Sequence, residues 1–348
     1  MHRHALVTGT LFALAAGLMW GLVFIAPVLL PEYPAALLSF ARYLAFGLVA
    51  LPLAWLDRAN LALLTRADWI EALKLGAVGN VLYYLFLAAA IQRAGVPLPS
   101  MIIGTLPVVI AVASNLRDHA RDGRLPWARL APSLVLIALG IAAVNQAELA
   151  RHAAGTAPDA PHGGGFDPGA HALGALLALG AVACWTWYPL RNADWLRAHA
   201  SRSPRSWATA QGVATLPLAA LGFAGLWAVS ALAPGSAMSA AGGGTFEMPL
   251  GPRPLLFLTL MFAIGFLASW LGTLCWNEAS QRLPTTLTGQ LIVFETLSAL
   301  GYAFALRGEM PGALALCGIA LLVVGVAWAL RAPPPRGGRP AAPVEAPH

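Results

Sequence analysis

Apolar runs of about twenty residues recur along almost the whole chain, and no other feature constrains the fold as strongly. Each run is long enough to cover about 30 Å of hydrocarbon at 1.5 Å rise per residue. Ten can be read: 7–30, 34–56, 70–92, 96–116 and 128–147, then 171–190, 205–231, 254–279, 284–306 and 311–331. Residues are 58% hydrophobic and only 10% charged, with a mean hydropathy of +0.69. The expected fold class is therefore an all-α integral membrane protein with ten transmembrane helices. Barrel strands alternate apolar and polar side chains over about ten residues, and these runs do not. The first run continues to Leu30. That is too long for the apolar core of a secretory signal, so it is read as an uncleaved first span.

The runs form two sets of five, a first unit at 1–147 and a second at 171–331. Between them, 148–170 is rich in Ala, Gly, Pro and His and is expected to be a flexible linker. A second long loop is expected at 232–252, and the Pro-rich tail 332–348 is expected to be disordered. If loops alternate sides, 16 of the 21 Lys and Arg residues fall on one side. Only Arg93, Arg151, Arg253 and Arg307 fall on the other, and Arg42 alone lies deep inside a run. The positive-inside rule then puts both termini in the cytoplasm and the linker in the periplasm. It also explains the net charge of +6 without nucleic acid.

The halves repeat. At an offset of 165, GTLFALAAGLMW (9–20) lies over GALLALGAVACW (174–185), matching Trp20 to Trp185, and the same offset carries Pro52 onto Pro217. Gly79 matches Gly265 at 186, and Gly140 matches Gly325 at 185. Five spans per unit is an odd number, so the second unit must enter the membrane from the opposite side. Two inverted five-helix repeats follow, an architecture whose binding site lies near mid-membrane between the repeats.

Polar residues inside apolar runs mark where that site would be. Glu295 sits near the middle of Pro284–Phe304, and on a regular helix Thr288, Glu295, Ser298 and Tyr302 share one stripe. A carboxylate at that depth costs on the order of 2.5–3.5 kcal/mol on the insertion scale, so it should face protein or water. Arg42 is read either as snorkelling toward the nearer face or as a cavity guanidinium that binds an anion or pairs with Glu295. Asn80, Tyr83 and Tyr84 share a face of the third run. In the eighth, Ser269, Thr273 and Trp276 do the same beside Trp270 and Asn277. Such hydrogen-bonding rings suit amphipathic ligands, although helix packing explains them as well. Trp20 and Trp185 are candidates for substrate contact or for packing. Gly17 and Gly21 allow close helix approach, and Pro52, Pro107 and Pro217 can kink their helices.

Other chemistries find little support. Cys184, Cys275 and Cys317 all lie inside runs and none forms a CxxC, so they read as packing residues. No histidine lies deep in a run, which argues against a proton relay or metal site there. HGGG at 162–165 has no GxSxG partner, and Lys74, the only lysine, follows no phosphate loop. No cofactor, metal or catalytic set is expected.

The ten runs in two halves, AGLMWG near the middle of the first, an arginine in the second, and RGEMPGALALCGIALLVVGVAW at 307–328 together resemble the drug/metabolite transporter superfamily, of the EamA type. Gly308, Glu309, Gly318, Gly325 and Val326 carry the most specific part of the likeness. The resemblance implies secondary transport of small metabolites, often amino acids and often outward, across a bacterial inner membrane. It also implies a cavity lined by the first four spans of each half. One departure is Thr296 after Glu295, where many members have proline. The expected function is an alternating-access exporter with Glu295 as proton carrier. Its partners would be a small-molecule substrate and the lipid bilayer, with no nucleic acid, and a homodimer is compatible. A membrane-embedded lipid-modifying enzyme and a non-transporting receptor or assembly partner are the alternatives from other classes.

Overall fold

The computed structural model describes residues 3–94, 97–117, 126–153, 168–232, 246–308 and 310–331, and all regular structure among them is helical. In chain order the apolar helices are α1 (His4–Leu29), α2 (Ala35–Leu56), α3 (Arg66–Ala94), α4 (Leu106–Leu116), α5 (Leu130–Ala147), α6 (Pro168–Ala198), α7 (Pro204–Leu232), α8 (Pro254–Arg282), α9 (Thr285–Leu306) and α10 (Ala313–Trp328). Eight of these described helices are long and apolar enough to cross a membrane, and α4 and α10 are shorter apolar helices. Prolines open α6, α7 and α8, where a missing N–H and a fixed φ suit the first turn. Pro52 and Pro217 sit inside α2 and α7. Pro107 opens a helix instead, just after a turn at Gly104–Thr105.

The linker expected at 148–170 is shorter at both ends. The helix containing α5 runs over Trp127–Ala153, and α6 begins at Pro168. Residues 154–167 and the tail from 332 lie outside the described residues, as does 233–245 of the second long loop.

The second, fourth and fifth helices of the two halves meet their counterparts and run antiparallel. Phe40 of α2 lies against Gly222 of α7, while Ala50 lies against Gly212. In α4 and α9, Ile110 meets Gly289 and Ser114 bonds Thr286. Between α5 and α10, Ile137 packs on Gly325 and Val144 on Gly318. The remaining pairs exchange partners, α1 packing on α8 and α6 on α3. An inverted repeat would produce this pairing. At one end of the bundle Arg117, Arg191 and Arg202 meet Asp194, Glu71 and the Leu63 carbonyl, so that end is rich in arginine. Arg253 and Glu32 lie at the other.

The α5–α10 pair shows why small residues matter where no hydrophobic force drives helices together. A Cβ on Gly318 would meet the Gly140 carbonyl oxygen at 2.8 Å and Val144 Cγ2 at 2.7 Å. Gly318→Val is expected to lower thermal stability in detergent by about 1–3 kcal/mol, the usual range for overpacking. Gly301→Ala, with nothing within 4 Å of the new Cβ, should leave the unfolding temperature level or slightly raised.

Candidate functional site

Six helices converge on a small cavity inside the bundle. Trp20 comes from α1, Arg42 from α2, Asn80 and Tyr83 from α3, Trp185 from α6, Thr273 from α8 and Glu295 from α9. The space open to water is about 10 Å³, roughly room for one molecule.

Arg42 is 5% exposed, so it does not snorkel. Its Cζ lies 4.8 Å from the Tyr43 ring centre and 4.7 Å from that of Tyr84, a cation–π contact with two rings set nearly at right angles. Its Nε donates to Ser269 Oγ at 3.0 Å, and that hydroxyl donates to the Ile264 carbonyl at 3.3 Å. Ser269 can reach five residues back because Gly265–Leu271 is π-helical. With one edge of the guanidinium held this way, Arg42 Nη1 has no hydrogen-bond partner.

Glu295 faces the same space from α9. The hydrogen-bond ladder of that helix is irregular at Ile292, where the backbone stays right-handed helical (φ −58°, ψ −25°) and the Glu295 N–H bonds the Ile292 carbonyl at 2.9 Å. Gly17 of α1 makes room for this turn, since a Cβ there would lie 3.0 Å from the Glu295 backbone nitrogen. Glu295 Oε2 is buried without a partner. Among the described residues no ion pair joins Arg42 to Glu295, so the direct pairing considered from sequence is not formed here.

Aromatic rings form the walls. Trp20 and Trp185, which correspond between the halves, meet edge-on with centroids 5.1 Å apart. Trp185 is sandwiched between Tyr83 at 4.7 Å and Tyr188 at 5.0 Å. Trp20 Nε1 donates to the Ala268 carbonyl at 2.9 Å.

The remaining sequence candidates sit behind or away from the cavity. Tyr84 backs Arg42 and donates to the Val23 carbonyl at 3.3 Å. Trp276 packs on Trp20 at 5.1 Å. Thr288 Oγ1 and Ser298 Oγ bond the carbonyls of Pro284 and Phe294 in their own helix, and Gly21 packs on Ser298. Tyr302 donates to the Leu18 carbonyl at 2.9 Å near the outside of the bundle. The stripe drawn through these residues therefore reaches the cavity only at Glu295. Val23, Tyr43 and Ala268 also line it, together with Ser269 from the polar face of the eighth run.

At the arginine-poor end, partial burial pushes the Glu32 carboxyl up, but hydrogen bonds and charge from Arg253 outweigh it, leaving the pKa below the ordinary value. Its contribution is complete above the ordinary carboxylate range and is lost as pH falls through the lowered value.

A bundle of antiparallel apolar helices around a narrow, charged centre is the build of a membrane transporter. Residues 7–145 match the EamA-like transporter family. The chain is 52% identical over 331 residues to Inner membrane protein YtfF of Escherichia coli (strain K12), covering 94% of this chain and 97% of that one. A solved crystal structure superposes with a TM-score of 0.64 at 20% identity, over 93% of this chain and 96% of its own, a likeness of fold. The chain belongs to the EamA-like transporter family and is a multi-pass inner-membrane protein.

The hydrogen bond from Arg42 to Ser269 is the site's internal anchor. Ser269→Ala would leave buried Nε unpaired and should cost about 1–3 kcal/mol of stability. Ser280→Ala removes a buried hydroxyl that has no partner and should be neutral or stabilising. Thermal unfolding of both variants in detergent checks the contrast.

Proposed function

We propose that this transporter is a secondary exporter of small organic metabolites, amino acids or related compounds, working by alternating access of two inverted repeats with both termini in the cytoplasm. One observation carries the reading. Arg42 Nη1 and Glu295 Oε2 are both buried and unpartnered beside the same cavity. A free donor and a free acceptor, set among indole and phenol rings, suit a molecule with an anionic group, a cationic group and an apolar body.

Alternating access is supported by size. Small-molecule sites measure roughly 300–1,000 Å³, far more than the water-sized space here. A substrate can therefore enter only if the helices around the cavity move apart. Glu295 is the proposed proton carrier, because it is the acid on that cavity and would gain and lose a proton as its exposure switches.

An efflux and resistance screen over amino acids and related metabolites, in cells expressing the protein, identifies the substrate. With that substrate in proteoliposomes, Glu295→Gln should abolish flux driven by a pH gradient while the protein remains folded. If the variant keeps the wild-type dependence on the gradient, Glu295 is not the proton carrier.

A further inference from the structure

The third helix of each half is interrupted in the same way. In α3, Leu75–Leu82 is π-helical, and in α8 so is Gly265–Leu271. The matched glycines Gly79 and Gly265 lie inside these two segments. Each segment also lines the cavity, through Asn80 in one and Ala268 and Ser269 in the other. A π segment replaces the tight α-helical ladder with wider turns and recurs at functional sites. It leaves an N-terminal half-helix on the far side of the cavity in each case, Arg66–Lys74 in α3 and Pro254–Ile264 in α8.

Those two half-helices close opposite ends of the bundle by similar means. At the arginine-poor end, Tyr33 from the α1–α2 connection stacks on Phe257 of α8 at 4.9 Å. Its hydroxyl donates to the Leu250 carbonyl and accepts from the Arg253 backbone N–H, both at 2.8 Å. Arg253 grips Glu32 through Nε and Nη2, the latter at 2.7 Å. At the arginine-rich end, Arg191 of α6 grips Glu71 of α3 through Nε and Nη2. Trp195 donates to Asp68 at 2.8 Å and stacks on Trp207 at 3.5 Å. Each closure thus joins one half of the chain to the other through a two-point arginine–glutamate pair and an anchored ring.

We propose that Arg66–Lys74 and Pro254–Ile264 are the two gates, each swinging on the π segment that follows it. Glu71–Arg191 latches one and Glu32–Arg253 the other. The inference rests on the alternating-access reading and adds the moving parts to it. Both arginines are about half exposed (50% for Arg191, 45% for Arg253). Ion pairs so exposed are weak, which suits latches that release in every cycle. A latch that stabilises only its own gate's closed form, once removed, shifts the population toward opening at that end alone.

The test needs neither a substrate nor proton coupling, so it can fail independently of the transport experiment. Thr273→Cys provides a cavity reporter in a background with Cys184, Cys275 and Cys317 replaced by serine. A membrane-impermeant maleimide is applied to intact spheroplasts and to inverted vesicles. Glu32→Gln should raise labelling several-fold from one face only, and Glu71→Gln should raise it several-fold from the opposite face only. Should a single variant fold poorly, the exchanged pairs Glu32→Arg with Arg253→Glu, and Glu71→Arg with Arg191→Glu, should return labelling to the parent level. Unchanged labelling, or equal rises from both faces, would overturn the latches. Hydrogen exchange separates a hinged half-helix from motion of the whole helix. In Glu32→Gln, exchange should increase in 254–264 and not in 272–282, and a joint increase would overturn the hinge.

Discussion

Keeping a guanidinium and a carboxylate in the middle of an apolar bundle is the constraint on which the rest of this structure depends. Hydrocarbon cannot solvate either group, so the protein must supply the polar surroundings itself. It does so unevenly. Arg42 has two aromatic rings and one hydroxyl, while Glu295 has only the cavity wall around it. The arrangement restrains both groups yet leaves an atom of each without a partner. A group fully paired by its own protein has little left to bind a passing molecule. The incomplete satisfaction at the cavity is therefore the chemically informative part of the fold.

The second half shows what complete satisfaction looks like. Asn192 donates to Asn277 and accepts from Trp207 and Gln211, and Gln211 in turn accepts from the Tyr188 hydroxyl. These side chains are buried, and their bonds tie α6, α7 and α8 together. At the repeat offset, the position matching Arg42 is Trp207, which belongs to this network. Positions that correspond by the sequence offset thus carry unlike chemistry, an open charge at Arg42 and a closed polar lock at Trp207. An asymmetric centre has the features expected where a ligand has two different ends.

The charges were legible in the sequence because a lone Arg or Glu in an apolar run has few reasons to be there. The corresponding tryptophans were legible because one offset aligned both. Of the stripe through Thr288, Glu295, Ser298 and Tyr302 only Glu295 reaches the cavity, and α9 departs from an even 100° per residue at Ile292. Its two smaller hydroxyls also turned back onto carbonyls four residues earlier, a local bond that competes with any outward role. Tyr43 escaped notice because an aromatic beside an arginine reads as ordinary packing. The π segments were hidden for a deeper reason. LGAVGNVL and GFLASWL have the composition of plain apolar helix, and the wider turn depends on what packs around them.

That hidden irregularity bears on how a rigid, mostly apolar bundle can move at all. Helices packed through glycine contacts as close as those between α5 and α10 resist sliding, since any shift forces backbone onto side chain. Motion is easier where the regular ladder is already interrupted. The interruptions fall in α3 and α8 beside the cavity, and each of these helices runs on to a closed end of the bundle. Ser269 belongs both to the α8 interruption and to the seat of Arg42. A ligand drawing the guanidinium toward itself would therefore pull on the residue whose hydroxyl is bonded to Ile264, the last residue of the outer half-helix. In the proposed cycle, two hydrogen bonds would link binding at the centre to the start of the α8 hinge.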